Sequence, residues 1–232
     1  MIGVDTYPFC IPLIAESWNE VESVLTHHGG DARYIEVWLD YLRDRSRERI
    51  LACSKENPGR FVFHFRRRNL DPIETPLAER RRFLTALAPL DVFIDLDHAS
   101  QIDEIHFIRR LSPHATGIVS FHNYTSTPPL PELRRIARQL HVDWPEAIVK
   151  LSTLCNSGAD AEAIIRLERE LTDEAIPHIV LGMGEHGRIT RIAGARGGNV
   201  MNFVPVTGQL SSAPGQIPLA ELRTILAADS MG

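Results

Sequence analysis

Gly117-Ile118-Val119-Ser120-Phe121-His122-Asn123, an amphipathic stretch from Pro131 to His141, and then Ala147-Ile148-Val149-Lys150-Leu151 set the pattern for the whole chain. Two short β-branched apolar runs read as buried strands, with a helix between them that is polar on one side only. This is one βα unit followed by the next strand. Each run also closes on a residue with chemistry. A lysine at the end of a buried strand loses hydration, which disfavours its ammonium and leaves an amine able to attack a carbonyl. Lys150 is therefore a candidate Schiff-base lysine, and His122 is a residue able to move protons near neutral pH. Taken singly, each has a plainer explanation: Lys150 snorkelling to solvent at a strand end, and His122 as a hydrogen-bonded loop residue.

The same alternation repeats along the chain. Strand-like runs are centred on 8–14, 33–39, 60–66, 91–96, 116–122, 146–151, 177–182 and 199–204. Helical stretches lie between them at Glu16 to His28, Arg43 to Ser54, Pro76 to Ala88, Ile102 to Leu111, Pro131 to His141 and Ala159 to Leu171. A weaker helical pattern spans Glu185 to Ala195, and a last helix is expected from Pro218 to Ala228. Pro131 and Pro218 stand where first-turn prolines are tolerated, and Gly59 and Gly158 punctuate loops. No low-complexity linker interrupts the series. Eight strands alternating with helices predict a single-domain α/β fold over residues 1–232, a closed (β/α)8 barrel.

In such a barrel, catalytic groups come from the C-terminal ends of the strands. Neighbouring strands are roughly 4.8 Å apart, so His122 and Lys150, ending the fifth and sixth, can meet over one substrate. Glu36 on the second strand, Arg66 on the third and Arg191 after the seventh face the same mouth. An amine and an imidazole suit carbon-acid chemistry: the iminium withdraws electrons and the base removes the adjacent proton. Arginines suit a carboxylate substrate through bidentate pairing.

Composition narrows the alternatives. Lys and Arg number 25 against 30 Asp and Glu, a net charge of −5 that offers no general attraction for nucleic acid or anionic membrane. The basic runs Arg66-Arg67-Arg68 and Arg80-Arg81-Arg82 read as solvated faces. Cys10, Cys53 and Cys155 are widely spaced with no C-x-x-C pair, which fits a reducing compartment and suggests neither disulfides nor a zinc site. Neither a signal peptide nor a transmembrane segment is expected, and a cytoplasmic location follows. The sequon Asn123-Tyr124-Thr125 is then a coincidence. Gly182-Met183-Gly184-Glu185-His186-Gly187 fits G-x-G-x-x-G after a strand, but Val204-Pro205-Val206-Thr207-Gly208 supplies no acidic residue about 20 positions on, so the glycines read as a tight turn. Asp95-Leu96-Asp97-His98 ends the fourth strand and could either ligate a metal or anchor neighbouring loops. Trp18 and Trp144 read as packing residues, and His27-His28 as a helix end.

Six short motifs in order point further. Glu36-Val37-Trp38-Leu39-Asp40, Phe63-His64-Phe65-Arg66, Ser120-Phe121-His122-Asn123 with Thr127-Pro128, Ile148-Val149-Lys150, Met183-Gly184 running to Thr190-Arg191, and Ser212-Ala213-Pro214-Gly215-Gln216 succeed one another. From about residue 8 to the last helix, the chain resembles the type I 3-dehydroquinate dehydratase family. The resemblance implies a (β/α)8 barrel, commonly dimeric, acting in the shikimate pathway of aromatic amino acid biosynthesis without metal or organic cofactor. It implies that Lys150 forms an iminium with the C3 ketone of 3-dehydroquinate, and that His122 takes a C2 proton and protonates the departing C1 hydroxyl. Arg191, Ser212 and Gln216 match positions that hold the substrate carboxylate and nearby hydroxyls, the last two from a loop closing over the site. Glu36 and Arg66 match positions that contact the ring hydroxyls. Two positions depart from the family pattern: Leu70 stands where a glutamate orients the catalytic histidine, with Asp71 and Glu74 close by, and Trp38 stands where the family has arginine. These departures keep two other readings open, a Schiff-base lyase or dehydratase for another cyclic or sugar-derived keto acid, and a degenerate barrel with a binding role.

Overall fold

The computed structural model describes residues 7–44, 46–65, 73–112, 116–206 and 211–229. Eight strands alternate with eight helices: β1 (Phe9–Leu13), α1 (Trp18–His28), β2 (Tyr34–Trp38), α2 (Arg47–Glu56), β3 (Phe61–His64), α3 (Leu77–Leu87), β4 (Phe93–Asp97) and α4 (Ile102–Leu111). They continue with β5 (Gly117–Asn123), α5 (Leu130–Asp143), β6 (Ile148–Leu154), α6 (Gly158–Asp173), β7 (His178–Met183), α7 (Arg188–Arg196), β8 (Asn202–Phe203) and α8 (Leu219–Asp229). The strands form one parallel sheet in the order β7-β6-β5-β4-β3-β2-β1-β8, a nearly closed (β/α)8 barrel in a single domain.

Most boundaries agree with the sequence reading to within a few residues, and the largest shift has a local cause. The second helix begins at Arg47 rather than Arg43, because residues 43 and 44 serve the first helix instead. The Arg43 N–H donates to the Glu16 carbonyl, and Asp44 Oδ1 accepts the Trp18 N–H at 3.0 Å, at the otherwise open N-terminus of α1. At α6 the cap is built in: Ser157 Oγ accepts the Asp160 N–H while Asp160 Oδ2 accepts the Ser157 N–H at 3.1 Å. Pro131 lies in the first turn of α5, where its missing N–H costs nothing.

Successive side chains on a strand face opposite sides, and the strands divide accordingly. On β6, Val149 and Leu151 join the large apolar layer between sheet and helices, with Leu133, Ala137 and Leu140 of α5 and Ile164 and Leu167 of α6. Trp18 and Trp144 are buried in this layer as packing residues. The opposite face fills the barrel. Cys10, Tyr34, Val62, Ile118, Ile148, Ile179 and Met201 make a separate apolar cluster there, and the buried polar residues Glu36, His64, Asp95, Ser120 and Lys150 share its parity.

Closure between β7 and β8 is sparse. Among the described residues only His178 and Asn199 form a bridge there, with the Val200 N–H donating to the His178 carbonyl. The Asn199 side chain takes over where the backbone stops, accepting the Val180 N–H on Oδ1 at 2.8 Å and donating from Nδ2 to the Val180 carbonyl at 3.1 Å. The three cysteines are free and buried, and no helix among the described residues is long and apolar enough to cross a membrane.

Candidate active site

Lys150 is the third of seven residues in β6, so it rises from inside the barrel and does not end its strand as the sequence suggested. Its register partner on β5 is Ser120, while His122 pairs with Ser152. The lysine and histidine thus belong to different levels, and only the length of the lysine side chain brings both to one cavity. That cavity, partly open to solvent, is lined by Glu36, Trp38, His122, Lys150, Arg191, Ser212 and Gln216, with Tyr124, Ser152 and Phe203 among the rest.

The Lys150 side chain is 6% exposed. Its Nζ lies 2.7 Å from Asp95 Oδ2 and 3.4 Å from Glu36 Oε1, and 4.2 Å from the centre of the Phe203 ring. Desolvation by the strand is therefore not the only influence on this amine. Two carboxylates and an aromatic face supply the countercharge that burial withholds. Asp95 is itself oriented by the Ser120 hydroxyl, which donates to Oδ1 at 2.6 Å.

Glu36, 3% exposed, accepts the Trp38 indole N–H on Oε2 at 2.9 Å, and the Trp38 ring meets His64 edge-on with centroids 4.6 Å apart. Two residues on, Asp40 accepts from the backbone and hydroxyl of Thr75, fixing the approach to α3. His122 stacks on Tyr124 at 5.8 Å, and its Nδ1 lies 3.2 Å from Asp97 Oδ1. Thr127 ties the loop after β5 to β6, its hydroxyl donating to the Leu154 carbonyl.

Arg191, on α7, is 6% exposed, and its Nε and Nη2 have no hydrogen-bond partner among the described residues. Burial strips water from the guanidinium and lowers its pKa to about 10. An anion entering the cavity would meet a cation with unused donors. Ser212 and Gln216 come from the loop before α8, where Gln216 Oε1 accepts the Ser212 N–H and Gln216 Nε2 donates to Ser212 Oγ, both at 2.9 Å. That loop is fastened to the turn after β7 by the Gly184 N–H donating to the Pro214 carbonyl. Gly215, at φ +76°, passes so close that a Cβ there would stand 2.1 Å from the Gly184 carbonyl oxygen.

Six of the seven residues anticipated from sequence therefore meet at one cavity, and Arg66 lies outside the described residues. Leu70 and Asp71 also lie outside them. Glu74 is exposed and does not line the cavity. Asp95-Leu96-Asp97-His98, expected either to ligate a metal or to anchor neighbouring loops, does the latter at Asp97, which holds Ser100, and its two carboxylates also partner the lysine and the histidine, which was not anticipated. His98 instead faces Asp143 at 2.9 Å, and no group of three His, Cys, Asp or Glu among the described residues could hold a metal ion. The signal was present: in Asp95-Leu96-Asp97 both carboxylates share one strand face.

Residues 9–232 match the family model for type I 3-dehydroquinase. The chain belongs to this family. It is a family of hydro-lyases, and as a type I 3-dehydroquinase the chain has relatives named 3-dehydroquinate dehydratase. One from Geobacillus sp. (strain WCH70) is 28% identical over 240 residues, covering 97% of this chain and 91% of its own. Another, from Geobacillus kaustophilus, is 32% identical over 77% of this chain and 73% of its own. The crystal structure of 3-dehydroquinate dehydratase from Geobacillus kaustophilus superposes with a TM-score of 0.81 at 27% identity, covering 98% of this chain and 92% of that one. The enzyme from Aquifex aeolicus, at 23% identity and a TM-score of 0.75, shares the fold.

Proposed function

We propose that this type I 3-dehydroquinase converts 3-dehydroquinate to 3-dehydroshikimate and water through a Schiff base on Lys150. The observation that carries the reading is the convergence of Lys150, His122 and the unpaired Arg191 guanidinium on one cavity. The Lys150 amine adds to the C3 ketone, losing its proton to Asp95 at 2.7 Å, and loss of water from the carbinolamine gives the iminium. Electron withdrawal into the iminium acidifies C2, where His122 removes a proton. The same imidazole then protonates the leaving C1 hydroxyl, so one water departs and the ring gains its double bond. Hydrolysis of the iminium returns the ketone and the free lysine.

Arg191 holds the substrate carboxylate, with Ser212 and Gln216 closing beside it and Glu36 and Arg66 addressing ring hydroxyls. Every group the reaction needs is a side chain, and no metal or cofactor takes part. The same reading assigns the protein to the cytoplasmic shikimate pathway as a homodimer. One observation favours a related substrate: the Trp38 indole occupies Glu36 Oε2, an acceptor that a ring hydroxyl would otherwise use. A cyclic keto acid with one hydroxyl fewer on that side fits this arrangement.

Borohydride reduction in the presence of 3-dehydroquinate should add the reduced substrate's mass at Lys150, located by peptide mass spectrometry. Lys150→Ala should abolish the adduct and lower kcat by more than about 10³-fold, over roughly 4 kcal/mol of barrier. A parent enzyme that forms no adduct on Lys150, or a Lys150→Ala variant with the parent rate, would refute the proposal. A panel of other cyclic keto acids under the same conditions separates the Trp38 reading from the first.

A further inference from the structure

We infer that Asp97 positions His122 for proton transfer, in place of the glutamate that the family carries where this chain has Leu70. The inference rests on the dehydratase reading of the same site and concerns one carboxylate that the reading does not use. Asp97 ends β4 next to the strand bearing His122, and its Oδ1 lies 3.2 Å from His122 Nδ1. Its other oxygen, Oδ2, accepts the Ser100 N–H at 3.0 Å and the Ser100 hydroxyl at 2.7 Å. The Asp97 N–H in turn donates to Gln101 Oε1 at 3.0 Å. Both side chains are nearly enclosed, 9% exposed for His122 and 11% for Asp97. The carboxylate is thus fixed from behind before it meets the histidine.

An ionised carboxylate only accepts hydrogen bonds, so the proton of a neutral imidazole facing Asp97 belongs on Nδ1. Nε2 is then the basic nitrogen, and His122 lines the cavity that holds Lys150. Asp97 itself is not among the residues lining that cavity. It acts through the histidine, choosing its tautomer and holding its ring.

The Ser100 clamp sets asparagine apart from alanine at this position. In Asp97→Asn the backbone N–H of Ser100 can only donate, so the amide oxygen is drawn to that side and the amide NH2 turns toward His122. Nδ1 must then accept, and the proton moves to Nε2, where a base is needed. Asp97→Ala removes this constraint without imposing the opposite tautomer. A merely structural Asp97 would be tolerated better as Asn than as Ala, whereas tautomer control reverses that order.

The experiment combines steady-state kinetics with 3-dehydroquinate and 15N-detected tautomer assignment of His122 in the free protein. Asp97→Asn should lower kcat by about 10³-fold and Asp97→Ala by about 10- to 10²-fold, with KM changed by less than about threefold in both. In the spectra, neutral His122 should carry its proton on Nδ1 in the parent and on Nε2 in Asp97→Asn. Asn equal to or more active than Ala, or an unchanged tautomer in Asp97→Asn, overturns the inference. The spectra decide it alone should Asp97→Ala fail to fold, or should the parent not turn over 3-dehydroquinate, a result that would count against the proposed reaction instead.

Discussion

Arg191 carries a stability cost that fits its proposed role in holding a carboxylate. A buried guanidinium with donors left unpaired is destabilising until an anion arrives, and its pKa is lowered to about 10 by the loss of water around it. Replacing it with methionine, of similar reach and no charge, should stabilise the ligand-free protein by roughly 1–2 kcal/mol. That corresponds to a rise in Tm of about 2–4 °C per kcal/mol for a domain of this size. Because the folded-state pKa is below the unfolded one, the unfolded chain binds more protons from about pH 10 upward. The parent therefore regains stability as pH rises through that window, and the advantage of Arg191→Met should shrink there. A small carboxylate should raise the Tm of the parent and leave the variant unmoved, as scanning calorimetry would show. For single residues the sequence was informative where the chemistry is unusual for its setting, as with Lys150 in an apolar run. It was poor on Asp95 and Asp97, whose roles depend on neighbours up to 55 positions away in the chain.

Among the elements, β8 is the weakest and the most dependent on side chains. It comprises only Asn202–Phe203, and the seam with β7 relies on Asn199 bonding both backbone groups of Val180. Asn199→Ala would leave a buried N–H and a buried carbonyl without these partners, at a cost of roughly 2–4 kcal/mol. Urea denaturation should report this as a lower midpoint. The apolar run at 199–204 pointed to a full strand here, and the difference has a physical basis. Periodicity reports burial, and most of these residues are buried whether backbone or an asparagine side chain supplies the hydrogen bonds. The helices were more legible, since an apolar face is a local pattern; α2 was extended too far at its start because the roles of Arg43 and Asp44 lie across the loop at α1.

For the molecule as a whole, the fold was readable because a βα unit is a local pattern repeated eight times, while ring closure is a contact between distant parts. One such contact joins the two ends of the series. Arg223 on α8 donates to Asp31 Oδ1 at 2.9 Å and to the Asp31 carbonyl, just beyond α1. Hydrogen bonding from Arg223, then from His28, holds the Asp31 carboxyl below its usual value of 3.8. Its contribution is complete above that value and is lost as pH falls through the lower folded-state value. Hydrogen exchange, corrected for intrinsic rates, should therefore show α8 losing protection as pH falls below about 3.8. Arg223→Ala should weaken α8 at neutral pH and flatten that dependence.

Phe203 has a bearing on the order in which the reactive centre comes into being. Its ring seats the Lys150 ammonium, yet it belongs to the last strand of the barrel, and Arg191, Ser212 and Gln216 also follow Lys150 in the chain. During synthesis the lysine leaves the ribosome about fifty residues before its aromatic cover. A growing chain therefore carries the amine without the enclosure that the proposed Schiff-base chemistry calls for, and that enclosure is complete only once the eighth strand has docked against the first.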